Sequence, residues 1–102
     1  MDFGDPVGRE QSGRRPAVVV SADPLNESRA GVVIVIPTTT AVRELPSHVE
    51  IDPRDSGLHE PCFAKCEDLK SVSEQRLLGR LGAVNDEVSF RIARVLRFLL
   101  DL

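Results

Sequence analysis

Two stretches of the chain are apolar without a break, and a third is apolar along one helical face. Residues 17–21, Ala-Val-Val-Val-Ser, and 31–36, Gly-Val-Val-Ile-Val-Ile, lack alternation and are dense in β-branched side chains. Such runs predict strands covered on both faces. Residues 22–28 carry Asp, Pro, Asn and Ser, which predicts a polar loop. Pro37-Thr38-Thr39-Thr40 reads as the end of the second strand. Ser47-His48-Val49-Glu50-Ile51 alternates polar and apolar, as a half-exposed strand does. A turn over 52–57 leads to a further strand, Pro61 to Leu69. Residues 71–77 read as a short helical turn capped by Ser73, and 78–84, broken by Gly79 and Gly82, as a short strand.

The last segment predicts a helix. Asn85 stands at its N-cap, Asp86 and Glu87 suit its positive end, and Val88, Ile92, Val95, Leu96 and Leu99 share a face flanked by Arg91, Arg94 and Arg97. About five short strands and one terminal helix predict a mainly β fold, a small antiparallel barrel with a helical lid, as one domain over 1–102.

Composition narrows what such a fold could do. The net charge is −3, so any nucleic-acid role needs a local basic site rather than a basic surface. Trp and Tyr are absent and only four Phe are present, which argues against a base-stacking platform of the kind single-strand-binding modules use. No apolar run reaches the roughly 18 residues of a membrane span and no signal-peptide pattern precedes the fold, which predicts a cytoplasmic protein without a membrane partner. Cys62 and Cys66, set four apart on one predicted strand, lie too far from each other for a disulfide. With neither histidine at ligand spacing, they read as small apolar residues, and no metal or other cofactor is expected.

The candidate chemistry sits at the strand ends. Gly8-Arg9-Glu10-Gln11-Ser12-Gly13-Arg14-Arg15-Pro16 reads as a charged loop running into the first buried strand, with Arg15 fixed by the locked ring that follows it. Thr38, Thr39 and Thr40 follow the second strand. If the two strands are antiparallel neighbours, Arg15 and the threonines meet at one edge of the sheet. A guanidinium with nearby hydroxyls is a good phosphate clamp. The alternative is that Arg15 only pairs with Glu10 and the threonines only satisfy a strand end. No Gly-rich phosphate loop or acidic metal cluster accompanies them. Cleavage of RNA needs neither, because its own 2′-hydroxyl can attack phosphorus once a base takes the proton and cations stabilise the developing charge. His48 titrates in the right range for such work but is expected on the solvent face beside Glu50, and His59 lies in a turn.

Several stretches together resemble one family. Phe3-Gly4-Asp5-Pro6, Gly8 to Gly13, Arg15-Pro16-Ala17-Val18-Val19-Val20-Ser21, Val35-Ile36-Pro37-Thr38-Thr39, Leu45-Pro46-Ser47-His48-Val49-Glu50-Ile51 and Glu67 to Val72 match, in order and spacing, the MazF/PemK toxin endoribonucleases. The resemblance implies an SH3-like barrel of the CcdB/MazF type, usually a homodimer. It implies metal-independent cleavage of single-stranded mRNA at short sequences, leaving a 2′,3′-cyclic phosphate and a 5′-hydroxyl, with a MazE-like antitoxin as the restraining partner. By position it places catalytic roles on Arg15, Thr39 and Glu10, with Thr38 as the alternative threonine. RNA contacts fall on Gln11, Arg14, Thr38 and Asp68. The family begins with a full strand ahead of the Phe3 position, of which only the tail stands here, either truncated or begun too late. Two other functions share this reading: a CcdB-like toxin that binds a protein target without cutting RNA, and a decayed copy that only binds antitoxin.

Overall fold

A computed structural model describes residues 7–10, 15–53, 58 and 60–102. The described residues form strands β1 (Val7–Glu10), β2 (Pro16–Val19), β3 (Val32–Thr39), β4 (His48–Ile51), β5 (Cys62–Lys65), β6 (Lys70–Ser73) and β7 (Leu77–Gly82). Helix α1 (Asp23–Asn26) is a single turn, and α2 (Asp86–Leu100) closes the chain. The sheet is antiparallel in the order β4-β5-β3-β2-β1-β7, with β6 also on β3.

Everything hangs on β3. One of its edges pairs with β2, through Ala17↔Pro37, Val18↔Ile36 and Val19↔Val35. The other edge is shared: Val32 to Val35 pair with β6, and Thr38 and Thr39 pair with β5. The 3-10 turn Cys66–Asp68 carries the chain between those two partners, so the strand expected from Pro61 to Leu69 ends at Lys65, and β6 starts only at Lys70. The strand also does not stop at Pro37 as expected. Val20 N–H donates to the Ile34 carbonyl at 2.9 Å, and hydrogen-bonded pairs alternate, so the Pro37 nitrogen faces away from β2. There it meets the gap between the β6 and β5 ladders, where a missing N–H breaks no bond.

Both faces of β2 and β3 are buried, as their unbroken apolar runs predict. Val18, Val20 and Ile36 join Val49, Ile51, Cys62, Ala64 and Cys66 in a core closed by Val88, Ile92 and Leu96 of α2. On the opposite face Ala17, Val19, Val33, Val35 and Val72 form a second, smaller cluster. Ile92 is fully buried, whereas Leu99, expected on the same stripe, is 41% exposed because it lies beyond the last covered turn. The Asn85 side chain accepts from Val88 N–H, as the cap reading requires.

The barrel expectation is met as an open sheet. No ladder among the described residues joins β7 to β4, and α2 packs at the β4 end instead. The segment read as a loop before the first strand contains β1, which pairs with β2 on one side and β7 on the other. Residues 22–28, expected as loop, hold α1, with Pro24 in its first turn. Ser73 does cap a short turn, a 3-10 turn over Glu74–Arg76, but 70–73 before it is strand.

Candidate active site

The register brings the two predicted clusters together. Carried two residues past Ala17↔Pro37, it sets Arg15 opposite Thr39. One residue short of that, the Thr38 hydroxyl donates to the Pro16 carbonyl at 2.7 Å, which fixes the strands side by side at this end. On the other side of Arg15, the β1–β2 register continued past Arg9↔Pro16 sets the Glu10 backbone opposite Arg15. Gln11 and Arg14 lie outside the described residues.

The two threonines are separated by the pleat. Thr38 is 4% exposed and faces the core beside Cys62 and Ile36. Thr39 faces the wetter side and is half-buried. Its Oγ1 accepts from Ala41 N–H at 3.1 Å, which orients the hydroxyl and leaves its hydrogen free to donate. Arg15 is exposed. By register, an exposed cation and an oriented hydroxyl therefore share one face of neighbouring strands.

The same face continues onto β5 and β4. Phe63 is the register partner of Thr39, and Glu50 is the partner of Phe63. Two residues on, Lys65 pairs with His48 across the ladder, and its Nζ lies 2.8 Å from the Asp68 carboxylate. Asp68 is thus on the 3-10 turn at the border of this face, held by a partly exposed ion pair of modest strength. Sequence reasoning passed over Lys65 and Phe63, although the Cys-Phe-Ala-Lys alternation already separates them from the core positions.

His48 shares the face of Glu50, as expected, but its side chain is covered rather than solvated. Its side chain is 5% exposed, and Nε2 lies 3.0 Å from Glu67 Oε2 while the Ser47 hydroxyl donates to Oε1 at 2.8 Å. A carboxylate only accepts, so Nε2 is the donor in this contact, while Nδ1 is buried and has no hydrogen-bond partner among the described residues. Burial works to raise the Glu67 pKa, but its own backbone N–H, His48 and Ser47 together hold it below the usual carboxylate value. The cluster pins the loop before β4 to the turn after β5, because Cys66 N–H also donates to the Ser47 carbonyl. His59 lies outside the described residues.

Cys62 and Cys66 are buried free thiols. Burial, then the Glu67 charge, pushes Cys66 up to about 12. Burial also raises Cys62, tempered by the Thr38 hydroxyl. Among the described residues no three His, Cys, Asp or Glu side chains gather as a metal set, and no helix is long and apolar enough to cross a membrane. A cleft of about 620 Å³ lies between Leu45–Val49 and α2, lined by Arg91, Arg94 and Phe98 among others, and it includes neither Arg15 nor Thr39.

An open antiparallel sheet with one backing helix, carrying an exposed arginine opposite an oriented threonine, defines a small, mainly β protein. The chain belongs to the PemK-like, MazF-like toxins of type II toxin-antitoxin systems, whose family model matches residues 1–100. Among curated proteins it is similar to Endoribonuclease MazF9 of Mycobacterium tuberculosis, 34% identical over 107 residues, covering 100% of this chain and 91% of the relative. Its fold is shared with Mycobacterium tuberculosis toxin MazF-mt6, at TM-score 0.83 and 23% identity, covering 95% of this chain and 97% of that one. It is shared equally with MazE-MazF from Deinococcus radiodurans, at TM-score 0.82 and 20% identity, covering 98% and 96%.

Proposed function

We propose that this toxin is a sequence-specific endoribonuclease acting on single-stranded mRNA in the cytoplasm, working as a homodimer and restrained by a MazE-like antitoxin. The observation that supports this reading most directly is the antiparallel register that sets exposed Arg15 opposite the oriented Thr39 hydroxyl. In this reading Thr39 donates to a non-bridging oxygen of the scissile phosphate. Arg15 lies against the same phosphate with two parallel N–H donors and neutralises charge as phosphorus becomes five-coordinate. The substrate 2′-oxygen bonds to phosphorus, the bond to the 5′-oxygen breaks as that oxygen takes a proton from solvent, and the products are a 2′,3′-cyclic phosphate and a 5′-hydroxyl. The proton of the 2′-hydroxyl goes to Glu10, whose backbone neighbours Arg15 across the β1–β2 pair. Gln11, Arg14 and Asp68 extend the contact along the RNA strand, and Thr38 holds β2 to β3 from within.

The test is to incubate the purified protein with a long single-stranded RNA in EDTA and map the ends. Discrete cuts bearing cyclic phosphates are expected, lost on Arg15→Ala and on Thr39→Val. A protein that binds antitoxin but leaves the RNA whole would be a binding toxin or a decayed copy, and the reading would be wrong.

A further inference from the structure

Phe63 is an aromatic ring in a place where a buried core does not use it. Burial along β5 alternates, with Cys62 and Ala64 buried and Phe63 and Lys65 partly exposed. Cys62 and Ala64 belong to the main core, but among the described residues Phe63 joins neither hydrophobic cluster. Among the described residues it is also the one aromatic on a strand, since Phe90 and Phe98 stand on α2. A ring of this size gains much from being covered, so leaving it half-exposed on a sheet face calls for a partner.

Its position says which partner. Phe63 is the direct register partner of Thr39, and directly opposed residues of an antiparallel pair project to the same face. The row across this face reads Glu50, Phe63, Thr39, Arg15, with neighbouring strands about 4.8 Å apart. A phosphate held between Arg15 and Thr39 therefore has the ring of Phe63 on its far side, one strand further on. We propose that Phe63 is the stacking surface for the nucleobase next to the scissile phosphate. This rests on the reading that Arg15 and Thr39 hold that phosphate. Every base has a π-face, so the contact tolerates any sequence and adds affinity and position, leaving base choice to the loops. Removing such a stack weakens binding roughly 5- to 150-fold.

The chain has no Trp or Tyr, so Phe63→Trp places the sole indole of the protein at this position. The probe is a short mixed-sequence RNA, 2′-O-methylated throughout so that it cannot be cut. Stacking is expected to quench the indole emission on titration. Phe63→Leu, checked for an unchanged melting temperature, is expected to raise KM by the factor above with little change in kcat. Emission blind to RNA, with unchanged Phe63→Leu kinetics in a protein whose cutting still depends on Arg15, overturns the stacking role and leaves the nuclease reading intact. A Phe63→Leu variant that alters the oligomeric state while the indole ignores RNA also overturns it, because the ring is then covered by a second copy. A protein that cuts no RNA and shows no quench removes both.

Discussion

Thr38 and Thr39 are adjacent in sequence, identical in chemistry and opposite in consequence, which makes a crossed experiment possible. Valine replaces threonine with nearly the same shape and the same β-branched preference at χ1, so each change removes little but a hydroxyl. At Thr38 that hydroxyl is buried and donates to the Pro16 carbonyl at 2.7 Å. Its loss removes a donor from the part-buried Pro16 carbonyl, which costs about 1–3 kcal/mol. For a domain of this size, each kcal/mol lowers the melting temperature by roughly 4–8 °C, so Thr38→Val is expected to melt on the order of 10 °C lower. Well below its lowered melting temperature, RNA cleavage by the folded variant should stay close to wild type.

At Thr39 the balance reverses. The hydroxyl there accepts from Ala41 N–H on a half-exposed face, where water can replace it. The stability change should therefore stay within about 1 kcal/mol. Cleavage should fall about 10²- to 10³-fold, the usual effect of removing one preorganised donor to a developing oxyanion. Both variants are read by thermal melting at one fixed protein concentration, since a dimer's apparent stability depends on it, and by initial rates on the same RNA below the lower melting point. A stable Thr38→Val that cannot cut, beside a Thr39→Val that cuts normally, would show that the pleat has been assigned to the wrong faces.

The core and the buried thiol give further checks. Ile92 is fully buried where α2 closes the main core, so Ile92→Ala should cost about 2–5 kcal/mol in denaturant unfolding; a loss near zero would mean the helix is not seated as described. With its folded value raised to about 12, the Cys66 thiol should resist iodoacetamide at pH 8 until the protein unfolds. The same shift makes stability full below the ordinary thiol value of 9.0 and draws it down as pH climbs toward 12, a slope that Cys66→Ala should flatten. Glu67 works the other way: its folded pKa is lowered, so its contribution is present above the usual 4.5 and is lost as pH falls through the lower folded value. Glu67→Gln should shorten the acid limb of the stability curve, and an unchanged limb would deny the His48 and Ser47 contacts any weight.

How far the sequence carries the fold depends on how local each interaction is. The doubly buried β2 and β3 and the capped stripe of α2 are legible because their signals lie within a few residues. Strand β1 is not, because a glycine-bearing charged segment becomes a strand only between β2 and β7, the latter nearly seventy positions away. His48 reads as surface from its alternating strand, yet it is buried by a carboxylate 19 residues on. For the site, the meeting of Arg15 with the threonines follows from one assumption, that the two apolar strands are neighbours, and the ladder bears it out. Which threonine faces the arginine is a matter of parity along a strand that was expected to have ended at Pro37. That parity becomes visible only once the strand is seen to run through Pro37 to Thr39.

The passage through Pro37 also explains why a small domain can hold this site rigidly. A strand stopping at residue 36 would have left Thr38 and Thr39 in a loop, free to turn their hydroxyls in any direction. Because the β6 and β5 ladders leave a gap at Pro37, β3 continues, and the last pair of residues is divided between core and surface. Thr38 anchors the strand end to Pro16 from inside, next to the residue that follows Arg15. Thr39 is then held at a fixed position on the outside, with β5 closing its other edge. The arginine remains long and exposed, so the site pairs one fixed donor with one adaptable cation. Positional precision in this site therefore resides in β3, and loosening the strand at Thr38 should blur the geometry at Thr39 before it abolishes folding. Raising the temperature toward the melting point of Thr38→Val should lower its cleavage rate ahead of global unfolding, whereas wild type at the same distance below its own melting point should show no such early loss.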